Sequence, residues 1–148
     1  MKRISWTEYY LNIAKAVSCR STCLRRRYGA IIVKDGHIVS SGYNGSPSGD
    51  ENCCDLDDCP RNALKIPKGE RYELCRAVHA EQNAIINASP ADLKGSTLYI
   101  HGENVDGTLA SGAPCLICTK FITNAHIKHT IYKDETGELH SLTDKNVE

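Results

Sequence analysis

His79-Ala80-Glu81 and Pro114-Cys115-Leu116-Ile117-Cys118 are the residues of this 148-residue chain whose types and spacing are best suited to chemistry. Cys115 and Cys118 stand three positions apart, so on a helix both thiols share one face. Pro114 suits the first helical position, where its missing N–H would be unpaired anyway. That placement predicts thiols at the positive end of a helix dipole, which favours thiolate, the form that binds zinc. His79 opens a second segment with a helical apolar stripe through Ala80, Ala84, Ile85 and Ala88. Three protein ligands (His79, Cys115 and Cys118) leave the fourth tetrahedral position to water, as a reactive zinc requires. Glu81 is the candidate proton carrier, since zinc can lower the pKa of a bound water to about 7. Cys-x-x-Cys alone would equally suit a redox pair or a structural zinc. The His-x-Glu on a separate helix sharpens the reading.

The remaining elements must bring these two segments together. Helical spacing of Trp6, Tyr9, Tyr10, Ile13, Ala16 and Val17 predicts a helix over 6–19. Two β-rich runs, 28–33 and 37–41, flank Lys34-Asp35-Gly36, where Asp-Gly marks a hairpin turn. Residues 42–49 are too rich in Gly, Pro and Asn for a regular element and read as a shaped loop. Residues 50–76 are polar and aperiodic and carry Cys53, Cys54, Cys59 and Cys75, so a staple is expected. Then follow a helix over 79–88, a strand over 96–101, a helix over 114–125, a strand over 127–132 and a charged tail read as peripheral. Residues 1–148 are expected to form one domain with a Cys-rich insert at about 50–76, its helices packed over a mixed sheet.

Composition bounds the function. Eighteen Lys plus Arg balance eighteen Asp plus Glu, giving a formal net charge of zero. That balance argues against broad capture of nucleic acid. Residues 1–10 carry no apolar leader core, and no stretch approaches the ~18–20 apolar residues of a membrane span. The expectation is a cytoplasmic chain without a membrane partner. Eight cysteines in a reducing compartment favour metal ligation over disulfides, with buried thiols as the plainer account of some. His101, His126 and His129 read as surface groups or satisfied partners.

Residues 28–33 (Tyr-Gly-Ala-Ile-Ile-Val), residues 42–49 (Gly-Tyr-Asn-Gly-Ser-Pro-Ser-Gly), residues 79–85 (His-Ala-Glu-Gln-Asn-Ala-Ile) and Pro114-Cys115-x-x-Cys118 resemble the cytidine and deoxycytidylate deaminase superfamily. The likeness runs over about residues 7–132 and is nearest to the deoxycytidylate (dCMP) branch. It implies a three-layer α/β/α fold around a central five-stranded mixed sheet. It implies hydrolysis of dCMP to dUMP and ammonia, with zinc on His79, Cys115 and Cys118 and Glu81 as proton shuttle. It further implies Asn44 on the sugar and the Ala80 backbone at the exocyclic amine. Many members are hexamers controlled by dCTP and dTTP, which makes a homo-oligomer the expectation and Gly42, Tyr43 and Gly45 the candidate effector loop.

Some members hold a second, structural zinc. Cys23 and Cys53 match its first two ligands, and Cys59 and Cys75 are the candidates for the rest. Cys54 could stand in for Cys53, and reduced thiols in a loop are the alternative. A nucleotide phosphate needs donors, and Arg25-Arg26-Arg27 is the densest cationic run, with Arg26 and Arg27 the named candidates and Arg76 next. A solvated charge run is the alternative. The link 102–113 is longer than in relatives and is read as entering the site. Two other functions compete: the same chemistry on another cytosine nucleoside, nucleotide or nucleic-acid base, and a non-catalytic zinc module for assembly. Glu81 argues against the last, because a structural site has no use for a proton shuttle.

Overall fold

A computed structural model describes residues 1–148. The chain opens with helix α1 (Trp6–Ser18), whose first turn is capped by the Ser5 hydroxyl accepting from the Glu8 N–H at 3.1 Å. Strands β1 (Arg26–Lys34) and β2 (His37–Tyr43) pair as a hairpin. Its turn places Asp35 and Gly36 at φ of 50° and 78°, the left-handed pair that Asp-Gly accommodates. The insert holds two single-turn helices, α2 (Cys53–Leu56) and α3 (Pro60–Ala63), and a 3₁₀ turn at Tyr72–Leu74. After it come α4 (Ala80–Ile86), α5 (Pro90–Leu93), β3 (Thr97–Asn104), β4 (Leu109–Ala110), α6 (Leu116–Asn124), β5 (His129–Lys133) and β6 (Leu139–Thr143).

The sheet runs β2-β1-β3-β5-β6, with the two-residue β4 paired to β3 beside that path. Only β3 and β5 are parallel; the other pairs are antiparallel. The sheet is therefore mixed, with five strands in line and a short sixth. Period two divides β1 between two cores. Ala30 and Ile32 pack with Ala80, Ala84, Leu98, Ile100 and Ile122 under α4 and α6. Ile31 and Val33 pack with Tyr10, Leu11, Ala14 and Tyr99 under α1. Helices on both faces explain why β1 reads as an unbroken apolar run rather than an alternating one. The three layers expected from the resemblance are present.

Two glycines let the helices sit close to the sheet. A Cβ on Gly29 would overlap the Ala14 carbonyl oxygen of α1, and one on Gly42 would overlap the Ala80 carbonyl oxygen and the Ala84 nitrogen of α4. The second approach fixes the height of α4, and with it His79 and Glu81, above β2.

The tail beyond Lys133 is peripheral, as expected, and has regular structure: it turns and returns as the edge strand β6, pairing along β5. The Asp134 carboxylate organises that turn by accepting from the Thr136 and Glu138 N–H groups at 2.9 and 3.1 Å, and Gly137 adopts a φ of 87°. One expectation needs correction: the link 102–113 is not a loop entering the site. Its first part continues β3 and folds back through β4, so that among these residues only Ala113 reaches the cavity described next. No helix is long and apolar enough to cross a membrane.

Candidate active site

Helices α4 and α6 dock side by side on one face of the sheet and aim their N-termini at a common point. His79 is the N-cap of α4, and its backbone N–H is bonded by the Gln82 side-chain oxygen at 2.9 Å. Cys115 is the N-cap of α6, its sulfur accepting from the Cys118 N–H at 3.3 Å. The helix thus starts at Leu116, and Pro114 lies outside it rather than at its first position. A sulfur that accepts a backbone N–H does the work of a capping oxygen, which is why the helix begins one residue after Cys115.

The His79 Nδ1 lies 3.2 Å from the Cys118 sulfur and 3.5 Å from that of Cys115. All three donor atoms lie within 4.8 Å of one another. A tetrahedral zinc with bonds of about 2.3 Å to sulfur and 2.0–2.1 Å to nitrogen sets its ligand atoms roughly 3.5 Å apart, so the residues fit the ion. Electrostatics agree with this. Hydrogen bonds from the Cys118 thiol and His79 bring the Cys115 thiol down to about 4, whereas the shared proton and burial hold Cys118 up. Both helix N-termini favour negative charge at the same place.

Glu81 stands in the first turn of α4, 5% exposed, and burial raises its carboxyl above the ordinary range despite the opposing Cys118 thiol and His79. It lines a cavity of about 540 Å³ together with His79, Ala80, Cys115, Asn44 and Tyr28. That volume falls in the range of small-molecule sites. Burial pushes the Tyr28 hydroxyl up to about 12, so it is a neutral donor at physiological pH.

Of the other residues singled out from sequence, Asn44 is buried at the cavity. Its side-chain oxygen accepts from the Tyr28 N–H at 2.9 Å and its amide nitrogen donates to the Arg26 carbonyl at 3.0 Å. It therefore clips the loop onto β1, and each amide atom keeps one further hydrogen-bonding capacity. Arg26 lines the cavity and Arg27 does not. Successive side chains of a strand point to opposite faces, so Arg26 shares the cavity side with Tyr28 while Arg27 is carried to the other and is exposed. The expectation for Arg27 is corrected accordingly. Gly42, Tyr43 and Gly45 do not line the cavity either. Gly42 packs beneath α4, the Tyr43 carbonyl accepts from Asn83 at 2.8 Å, and Gly45 pairs with Val78. His101, on the α1 side, is paired with Glu103 at 2.8 Å, and burial lowers its pKa.

Cys23, Cys53, Cys59 and Cys75 all line the same cavity. They are not drawn within 4.8 Å of one another as the first three donors are. Cys23 and Cys75 each accept a backbone N–H from two residues on, at 3.3 and 3.4 Å. Sequence reasoning passed over three residues of the insert. Tyr72 packs edge-on against the His79 ring at 4.9 Å, and the Arg61 guanidinium lies 4.6 Å from the Tyr72 ring. Lys68 lines the cavity as well. Nothing in the aperiodic stretch 50–76 marks these residues out. Ser46 was passed over too: its hydroxyl is buried at the cavity without a partner.

A nitrogen and two sulfurs held on helix N-termini, beside a buried carboxyl at the floor of a cavity, make a zinc-dependent hydrolase site on a mixed α/β/α scaffold. The chain belongs to the cytidine and deoxycytidylate deaminase family, whose zinc-binding region matches residues 4–134. It is 37% identical over 141 residues to the deoxycytidylate deaminase of Mycobacterium phage D29, covering 92% of this chain and 100% of that one. It is 32% identical to the deoxycytidylate deaminase of Schizosaccharomyces pombe over 88% of this chain, which spans 37% of that longer protein. In three dimensions it is similar to the dCMP deaminase of cyanophage S-TIM5 in complex with dCMP and dUMP. The TM-score is 0.60 at 30% identity, with 88% of this chain and 82% of that chain covered.

Proposed function

We propose that this chain hydrolyses dCMP to dUMP, releasing ammonia, with His79, Cys115 and Cys118 holding zinc and Glu81 carrying the proton. The observation that carries the reading is the buried Glu81 carboxyl, which lines one cavity with His79 and Cys115, two of the three gathered zinc donors, while Cys118 lies buried beside them. A zinc ion held there supplies the Lewis acidity that makes water a nucleophile near neutral pH. The Glu81 carboxylate takes the proton from the attacking water, delivers it to ring N3, and then moves the second proton to the departing amino nitrogen. Water adds and ammonia leaves, so the reaction balances as hydrolysis. That Ala80 and Asn44 both line the cavity supports a role for the Ala80 backbone at the exocyclic amine and for Asn44 at the sugar. Tyr72 orients the His79 ring. The deciding experiment is ammonia release from dCMP, CMP, deoxycytidine, dCTP and single-stranded DNA. Preference for dCMP is expected, and preference for an unphosphorylated nucleoside or for DNA overturns the assignment.

A second zinc on Cys23, Cys53, Cys59 and Cys75 is supported by all four lining one cavity and by the N–H···S bonds at Cys23 and Cys75. It requires α2 and α3 to close on Cys23 and Cys75. Metal analysis of the purified protein then gives two zinc ions per chain, and one overturns it. Self-association is supported by Ile86, Leu116, Ile117 and Phe121, apolar side chains left exposed on α4 and α6. Sedimentation of the pure chain as a monomer would refute it. dCTP and dTTP are the effectors proposed for the assembly, tested by adding each to the same ammonia assay.

A further inference from the structure

Five cationic side chains line the cavity: Arg25, Arg26, Arg61, Lys68 and Arg76. Three are already engaged. Arg25 donates to the Ile66 carbonyl at 3.2 Å. Arg61 donates to the Glu70 and Pro67 carbonyls at 3.2 and 2.9 Å. Arg76 donates to the Asp58 carbonyl at 2.9 Å and pairs with its carboxylate at 3.1 Å. The side chains of Arg26 and Lys68 form neither an ion pair nor a hydrogen bond, although other cations of the protein do.

We infer that Arg26, on β1, and Lys68, on the cysteine-rich insert, form the subsite that grips the 5′-phosphate and makes the enzyme prefer nucleotide over nucleoside. The inference rests on dCMP being the substrate. Two free cations on one cavity wall repel each other. Lys68 is exposed at the rim, and its partial desolvation, followed by the charge of Arg26, lowers its ammonium below the ordinary range, with only Glu135 acting in the other direction. A phosphate monoester carries close to two negative charges at pH 7, and between the pair it replaces that repulsion with two attractions. The two side chains are complementary as donors: the Arg fork can bond two phosphate oxygens and the Lys ammonium adds a point charge. The partnerless Ser46 hydroxyl in the same lining is a second sign that the cavity is shaped for a polar ligand.

The placement of both cations has a cause in the fold. Strand alternation turns Arg26 inward and Arg27 outward. The two Arg61 bonds clasp the chain at Pro67 and Glu70, on either side of Lys68, so a buried arginine holds the lysine to the rim. Arg61 is thus a positioning residue for the subsite.

The test is kcat/KM for dCMP and for deoxycytidine in the wild type, Lys68→Ala, Arg26→Ala, the double variant and Arg27→Ala. The wild type should prefer dCMP. Each single alanine should lower the dCMP-to-deoxycytidine ratio by about 10-fold or more, chiefly through KM for dCMP, and the double variant should lower it further. Lys68→Arg should restore part of the ratio, and Arg27→Ala should leave it unchanged. Inorganic phosphate should inhibit the wild type competitively and inhibit Lys68→Ala more weakly. If the wild type prefers dCMP and both variants keep its ratio, the subsite is overturned while the substrate stands. If the wild type prefers deoxycytidine, the substrate assignment and the subsite fall together.

Discussion

The N-termini of α4 and α6 and the insert at 50–76 face each other across one cavity and are built by different means. In the first region, regular helices dock on a sheet, so sequence spacing translates directly into geometry. Two helix caps and the Gly42 contact beneath α4 position the candidate donors. In the second, single-turn helices and loops are held by individual polar contacts, above all the bonds of Arg61 to Glu70 and Pro67 and of Arg76 to Asp58. The proposed chemistry belongs to the region with regular structure, whereas the proposed phosphate subsite is shared between strand β1, through Arg26, and the irregular insert, through Lys68.

The largest expected effect concerns the first region alone. Glu81→Ala should retain zinc yet lose ~10²–10⁴ in kcat, while Cys115→Ala should lose metal and activity together. Zinc content measured beside turnover separates the two, and substantial remaining activity in Glu81→Ala would refute its role. Gly42→Ala comes next. Its methyl group would overlap Ala80 and Ala84 and lift α4, costing about 1–3 kcal/mol in denaturant unfolding. An unchanged midpoint would show that α4 is not seated by that contact. Arg61→Ala should have the smallest effect on global stability, about 1–2 kcal/mol or less, because it frees only two carbonyls of the insert. Limited proteolysis should then cut within 50–76 while the sheet stays intact. Uniform loss of stability instead would mean the two regions fold as one unit.

Legibility in the sequence follows the same division. The hairpin turn at Asp35-Gly36, the β-rich run of β1 and the meeting of His79 with Cys115 and Cys118 were readable because they follow turn chemistry, residue type and ligand spacing, although α6 begins after Pro114 rather than at it. The β5–β6 hairpin was readable too and was missed: Thr136-Gly137 lies between two alternating runs, 129–133 and 139–143, and the charge of the tail drew attention away from it. Charge alone does not separate Arg26 from Arg27; strand alternation does, and it carries Arg27 away from the cavity. Lys68, Tyr72 and Arg61 could not have been selected, since no periodicity connects them to the site.

The sequence by itself determined the candidate metal donors, the candidate proton carrier and the sheet that bears them, because the spacings of ligands along a helix and of side chains along a strand are local geometry. Only the tertiary structure decided which cations meet the cavity and which are already engaged. Packing brings Arg26 of a strand and Lys68 of a distant loop to one cavity, a placement that the period of neither segment dictates.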